Sequence, residues 1–362
     1  MGGFWRRIFG KSKAPAAATE STLATVDGAS VLAVQATRAA VGLQGYELQR
    51  ELGRGAMAVV HLARQLSNGH MVAIKRLSLQ REFAAEDLAD VRQRFMREAR
   101  AAGHLHHPDI LQVLDAGEAG EDAWIAMEFV QGKDLSHYTR ANQLLPVREV
   151  VRIGARLARA LDYAHRQGVV HRDIKPANVM LDLASDVLKV MDFGIARIAD
   201  GSRTRTGLVL GTPSFMSPEQ LAGLKVDGRS DLYSLGAMIY QLLTGHLPHQ
   251  SDSMAKLMYQ IANQTPADVR HYRPGLPEAL ALVLALSLEK RPELRYASGE
   301  QMAQDLEAVL AQPGLDAAAE ALPTVDASSA QPISADSFAQ TVRLNGLEAG
   351  QNPAAKQPKT KP

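Results

Sequence analysis

Two groups of residues in the middle of the chain have types and spacings suited to moving a charged group. The first is His171-Arg172-Asp173, followed by Lys175 and Asn178; the second is Asp192-Phe193-Gly194. Between them, NVMLD and VLKVMD read as two short β-runs with a turn at Ala184-Ser185-Asp186, as in a hairpin. A hairpin brings Asn178 and Asp192 into one small space. An amide oxygen beside a carboxylate suits Mg²⁺ bound together with substrate phosphates. Asp173 supplies a carboxylate that can accept a proton from an attacking hydroxyl. Lys175 supplies a cation that can neutralise charge on a group in transit. This is the layout of phosphoryl transfer.

HRDIKPAN followed by DFG resembles the catalytic loop and metal-binding motif of protein kinases, whose H-R-D-x-x-x-x-N signature has the spacing from Asp173 to Asn178. Lysine two residues after the aspartate resembles the Ser/Thr form of that loop. Either triplet alone is common; both in order, with the whole loop between, are specific. The family implied is the bacterial, Hanks-type serine/threonine kinase. Its fold would be α+β and two-lobed, with a small β-rich N-lobe carrying one helix and a larger helical C-lobe. The resemblance covers 46–311, with the N-lobe at 46–130 and the C-lobe at 131–311.

The elements that must position these residues follow in order. YELQRELGRGAMAVVHLARQ alternates apolar and polar residues around Gly53-Arg54-Gly55, as a β-hairpin does. It resembles the kinase glycine-rich loop, with Val60 as its final valine and Ala58 where the third glycine would stand. Glycine lets backbone N–H groups approach phosphates closely, so the Ala58 methyl is a departure. MVAIKRL reads as a strand ending in Lys75 and matches the V-A-I-K motif. A lysine in an apolar strand needs a partner. Glu98 is the acid expected, on a helix over 90–104 with Val91, Phe95, Ala99 and Ala102 on one face. Two strands joined by an acidic turn then lead, by resemblance, to a gatekeeper at Met127 and an adenine-binding hinge at Glu128 to Val130.

The second half is mostly helical. Val150, Ile153, Leu157, Leu161 and Ala164 fall on one face of a helix over 147–167. DLYSLGAMIYQLLTG is apolar nearly all round and reads as a buried helix. By resemblance, Asp231 at its start hydrogen-bonds the catalytic-loop backbone. GTPSFMSPEQ resembles the kinase G-T-x-x-x-x-A-P-E, with Ser217 in place of the alanine, and Arg295 resembles the arginine that pairs with its glutamate, here Glu219. Thr212 in that motif is expected to touch Asp173 and Lys175. Ser298-Gly299-Glu300-Gln301 fits a capping box opening a last helix that ends near Leu310 or Ala311.

Composition bounds the rest. The chain has 362 residues, 46% hydrophobic, with net charge +1, which suits a globular core and gives no nucleic-acid footprint. Cysteine is absent, which excludes disulfides and cysteine-ligated zinc and fits a cytoplasmic location. No apolar run is long enough to span a membrane, unlike many receptor-like bacterial kinases. Residues 1–13, MGGFWRRIFGKSK, read as a basic terminus, with peripheral contact to an anionic membrane as the alternative. Residues 1–45 otherwise read as a disordered linker with a short helix near 31–41, and 312–362 as a disordered Ala/Pro/Gln-rich tail. Thr25-Val26-Asp27 and Thr324-Val325-Asp326 repeat a tripeptide. Coincidence explains the repeat, and the alternative is a pair of sites for phosphothreonine-binding modules.

The resemblance implies these roles. ATP would be cradled by Leu52, Gly53, Arg54, Gly55, Ala56, Met57, Ala58, Val59, Val60, Ala73, Lys75, Glu98, Met127, Glu128, Val130 and Met180. Asn178 and Asp192 would hold Mg²⁺, with Mn²⁺ as a substitute. Asp173 and Lys175 would be catalytic. Thr204 and Thr206, whose flanking arginines would repel Arg172, would be regulatory, since phosphate there could pair with Arg172. Partners would be ATP, protein substrates and, during autophosphorylation, a transient second copy. Two other classes fit less well. A pseudokinase scaffold usually lacks Lys75, Asp173 or Asp192, and a small-molecule phosphotransferase is not expected to carry GTPSFMSPEQ.

Overall fold

The computed structural model describes residues 43, 45–55, 58–79, 83, 85–119, 122–193, 213–313 and 315. The small lobe is an antiparallel sheet of β1 (Tyr46–Arg54), β2 (Ala58–Gln65), β3 (Met71–Leu77), β4 (Val113–Ala119) and β5 (Asp122–Glu128), in the order β1-β2-β3-β5-β4. The β1–β2 hairpin forms as its alternation predicts, with Gly53 opposite Val60 and Arg54 opposite Val59. Alternation along β3 sorts its side chains. Val72 and Ile74 join Leu43, Ala63, Trp124 and Ala126 on one face. On the other face, Leu77 with Ala123 and Ile125 of β5 meets Val91, Phe95 and Ala99 of α1 (Leu88–Gly103). The helix begins two residues before the expected Asp90, because Leu88 also packs against this cluster.

The large lobe is built on α2 (Val147–Arg166), whose predicted face is fully buried. Each Leu or Ile on it contributes about 1.5–3 kcal/mol over an exposed position. Against α2 lie α4 (Gly228–Thr244) and α8 (Gly299–Leu310), with the short α3 (Pro218–Leu221), α5 (Met254–Asn263), α6 (Val269–Tyr272) and α7 (Glu278–Ser287) completing the lobe. Gly154 permits the close approach of α2 and α4: a Cβ there would lie 2.7 Å from Ile239 Cδ1. The helix α4 is buried on nearly all sides, as its composition predicts. The core also takes in Leu315, and the small-lobe sheet takes in Leu43, both outside the span read from pattern.

Ser298 caps α8 through the Gln301 N–H, but the Gln301 side chain accepts from the Ala297 N–H instead of closing a box on Ser298. The reciprocal box forms at Ser217 and Gln220, opening α3, where the pattern did not lead us to expect one.

A second sheet, β6 (Lys133–Asp134), β7 (Val179–Asp182) and β8 (Val187–Val190), carries the hairpin between the two chemical motifs. Its turn falls where expected, with Asp186 at φ 55. The chain reaches this sheet from β5 through Gly132, at φ 139, where a Cβ would lie 2.5 Å from the Leu181 carbonyl oxygen. Val190 N–H donates to the Asp109 carbonyl, and Leu111 N–H to the Val190 carbonyl, so β8 also ties to the segment before β4.

Candidate active site

The loop from His171 to Asn178 is fixed from below by one carboxylate. Asp231, fully buried in the first turn of α4, accepts the backbone N–H of His171 at 2.8 Å and of Arg172 at 2.7 Å. It also binds His165 Nε2 at 2.7 Å. Arg172 is held at φ 68, a sparsely populated conformation that surrounding bonds must impose. The Gln220 side chain reinforces it by donating to the Arg172 carbonyl at 2.8 Å. Gln220 is fixed in turn by the Ser217 box, and Glu219 beside it forms a buried pair with Arg295 at 2.7 and 2.8 Å. Ser230 also donates to Glu219. The contacts expected of Asp231 and of Arg295 are therefore present.

Asp173, Lys175 and Asn178 converge above this base. Lys175 Nζ lies 2.6 Å from Asp173 Oδ2, and Asn178 Nδ2 donates to the same oxygen at 2.9 Å and to the Asp173 carbonyl at 2.7 Å. His171 joins the two motifs: its Nε2 meets the Met191 carbonyl at 2.7 Å, and its ring packs edge-on to Phe193 at 4.6 Å. Met191 N–H donates to the Asn178 carbonyl at 2.8 Å. The hairpin thus presents Asn178 and Asp192 from adjoining ends, Asp192 at φ 63.

Lys75 approaches from the small lobe, and here the structure corrects an expectation. Its ammonium lies 2.7 Å from Asp192 Oδ1, whereas the carboxylate of Glu98 lies 3.5 Å from Arg97. The Lys75–Glu98 pair read from the sequence is thus replaced by Lys75–Asp192. A flexible ammonium takes whichever carboxylate its surroundings bring nearest. Asp192 projects from the large lobe to the end of β3, and Lys75, Met127, Asp192 and Phe193 line a small cavity with Ala99 and Ala102 of α1. Burial works against the charge on Asp192. The charge and hydrogen bond of Lys75 outweigh it, helped by His171 and Lys175, and hold the carboxyl below its ordinary range.

Leu52, Ala73 and Met127 pack as one cluster, with Val60 and Val130 against it. Sequence reasoning missed Leu62, Leu111 and Met191 in the same cluster, and read Phe129 only as part of the hinge backbone. Met180 is buried in β7 opposite Lys189, and Glu128 ends β5 with its carboxylate 2.7 Å from Lys189. Gly55 N–H closes on the Ala58 carbonyl at 2.7 Å. Ala58 itself pairs with Leu77 and packs against the cluster under α1. Ala56, Met57, Gly194, Thr204, Thr206 and Thr212 lie outside the described residues, as do the 31–41 helix and both TVD tripeptides. Gln220 and Lys189 were also missed. Only the Ser217-to-Gln220 spacing could have signalled the former.

Among the described residues no helix is long and apolar enough to cross a membrane. No group of three or more His, Cys, Asp or Glu residues suited to a metal occurs among them. Comparison with known proteins agrees with this geometry. Residues 46–306 match the family model described as the protein kinase domain. Serine/threonine-protein kinase PknB of Mycobacterium leprae is 42% identical over 267 residues, covering 72% of this chain and 42% of the relative. Serine/threonine-protein kinase pkn3 of Myxococcus xanthus is 41% identical over 275 residues, covering 73% and 50%. The chain thus spans about half or less of the length of these relatives. The crystal structure of the Mycobacterium tuberculosis PknI kinase domain superposes with a TM-score of 0.60 at 34% identity, covering 75% of this chain and 99% of that one. A match over most of the chain, on a fold that gathers Asp173, Asn178, Asp192 and Lys75 about one cleft, means that the protein belongs to the protein kinase family.

Proposed function

We propose that the protein transfers the γ-phosphoryl group of ATP to serine and threonine hydroxyls of proteins. The observation that carries this reading is the convergence of Asp173, Lys175 and Asn178 through Asp173 Oδ2. Both recorded bonds to the Asp173 carboxylate use Oδ2, which leaves Oδ1 to receive the proton of an incoming hydroxyl. Lys175 sits beside that carboxylate and stabilises negative charge as the group transfers.

The donor set fits Mg²⁺, or Mn²⁺ in its place. Asn178 spends its amide N–H₂ on Asp173, which leaves its carbonyl oxygen to ligate, and Asp192 is held ionised. Two protein oxygens are too few for a closed cage and suit an ion completed by water and phosphate oxygens. When bound, the ion neutralises phosphate charge. Lys75 contributes to the same end by reaching the phosphates from β3, and Leu52, Val60, Ala73, Met127 and Val130 supply apolar walls for adenine beside the hinge backbone at 128–130.

Autophosphorylation at Thr204 and Thr206 precedes full activity in this reading, because a phosphate brings about −1.5 to −2 charges that pair with Arg172. A transient second copy would deliver it. In the alternative reading of the TVD repeat, phosphothreonine modules would bind the two tripeptides, and in that of residues 1–13 a cytoplasmic kinase would rest on anionic membrane through them. Incubating the protein and Asp173→Asn with radiolabelled ATP, with and without a generic protein substrate, tests the central reading. Label in the wild type alone is expected, and equal label in the variant would overturn it.

A further inference from the structure

The helix α1 buries Val91, Phe95 and Ala99 under the small-lobe sheet, which turns its other side outward. Arg92, Gln93, Met96, Arg97 and Arg100 share that side, and with Glu118 of β4 they line an open groove of about 650 Å³. The helix carries Arg92, Arg94, Arg97 and Arg100 against Asp90 and Glu98, although the whole chain has a net charge of only +1. Nearby acids offset this charge only in part. Glu118 meets Arg92 at 3.6 Å and Glu98 meets Arg97 at 3.5 Å, both longer than a good charge-assisted bond. The Arg97 side chain is 68% exposed. Three guanidinium groups around a half-buried methionine suit an acidic segment with apolar residues between its acids.

The chain continues beyond the described fold at both ends, and the two ends differ in sign. Residues 1–42 hold Arg6, Arg7, Lys11, Lys13 and Arg38 against Glu20 and Asp27, so a basic groove repels them. Residues 316–342 hold Asp316, Glu320, Asp326 and Asp336, with no lysine or arginine. Within this stretch Leu322 and Val325 stand between Glu320 and Asp326, as Met96 stands between Arg92 and Arg100. The stretch starts from a fixed point, since Leu315 is 1% exposed in the large-lobe core. We propose that residues 316–326 of the tail dock in the groove between α1 and β4 of the same chain, with their acids on the arginines from Arg92 to Arg100 and Leu322 and Val325 on Met96.

Each exposed ion pair contributes little alone. Tethering raises the local concentration of the segment to about the millimolar range, so a few such pairs suffice within one chain. The docked tail ties α1 to the large lobe. Ala99 and Ala102 of α1 wall the cavity that Lys75 and Asp192 line, so the tail restrains the helix that borders the cleft.

The chain has no cysteine, so Ser329→Cys gives a single attachment point for a fluorescent dye just beyond the segment. The dye's anisotropy is read in the full chain. Docking holds the dye to the body of the protein, and the anisotropy is expected to fall about twofold in Arg97→Glu/Arg100→Glu and equally in Glu320→Lys/Asp326→Lys. The tail variant changes none of the described residues, and so guards against misfolding of the groove variant. Combining all four substitutions restores the attraction with its signs exchanged and should recover most of the anisotropy. Raising the salt to about 1 M, where the screening length is about 3 Å, should undock the wild-type tail. Equal anisotropy in the wild type and both charge variants would overturn the docking. So would a wild-type anisotropy that falls on dilution, which would make the occupant the tail of a second copy.

Discussion

Asp231 and Asp192 are both aspartates at the chemical centre, and they are held in opposite ways. Asp231 is fully buried and bound by two backbone N–H groups and a histidine, all within the large lobe. Asp192 is partly exposed, sits at φ 63, and has as its recorded side-chain partner a long lysine from the other lobe. Backbone donors cannot swing away; an ammonium on four methylenes can. The large-lobe half of the site is therefore prebuilt, and the half that spans the lobes is adjustable. The Lys75–Asp192 pair fits this division, since it joins side chains carried by different lobes.

The largest effects should come from the atoms that meet the reacting groups. Lys75→Met, Asp173→Asn and Asp192→Ala should each lower the phosphoryl-transfer rate by about a thousandfold or more, since each removes part of the charge-stabilising array. Their circular dichroism should stay that of the wild type. Full autophosphorylation by any one of the purified variants would remove that residue from the site.

The comparison sharpens with stability. Asp231→Ala leaves two buried N–H groups without acceptors, at about 1–3 kcal/mol each, whereas Asp192→Ala leaves Lys75 free to turn elsewhere. Urea titration should show Asp231→Ala destabilised by several kcal/mol and Asp192→Ala by clearly less, because the Lys75 ammonium can turn out to water while the two N–H groups cannot. Equal losses would mean that both carboxylates are structural and that the division between prebuilt and adjustable halves is false.

Sequence pattern revealed the prebuilt half better than the adjustable one, for physical reasons. HRDIKPAN, the 179–190 hairpin and the buried α4 are specified by neighbours in sequence or by one continuous apolar face. The partner of Lys75 depends on the relative placement of β3, α1 and Asp192, which no local pattern encodes, and that reading failed. The Ser217–Gln220 box was missed because its spacing sits inside a motif valued for other reasons, while Ser298 was assigned a box that Ala297 half takes over. Lys189 gave no signal, since a lysine in VLKVMD looks like an ordinary outward strand residue.

A smaller effect is expected from the proposed switch. Thr204→Ala/Thr206→Ala should lose about tenfold in activity toward added substrate and keep its affinity for ATP, because the phosphate would order a platform and not the nucleotide cleft. Mass spectrometry should find phosphate at these threonines in the wild type and not in Asp173→Asn. Wild-type rates in the double variant would place the switch elsewhere.

The last effect lies away from the cleft and concerns pH. His249 is buried at 7% exposure, with its Nε2 3.0 Å from Lys290 Nζ. Burial, and then the Lys290 charge, push its pKa down to about 4. Between pH 6.5 and 4 the unfolded chain binds a proton there that the folded chain refuses. Stability from this group is therefore intact above pH 6.5 and falls as pH drops, by at most about 1.4 kcal/mol per unit. Asp134 acts in the other direction. Burial raises its pKa to about 6 against bonds from Ser136 and His137, so the folded chain holds an extra proton below pH 6, which offsets part of the loss. His249→Gln keeps an acceptor for Lys290 and removes this one titration, while Asp134 and the other histidines lowered by burial, His61, His107 and His246, titrate in both proteins alike. Its stability relative to wild type should therefore grow as pH is lowered from 6.5 to 4, in urea titrations at each pH. A difference that stays constant across that range would show that the His249 proton is not excluded by the fold.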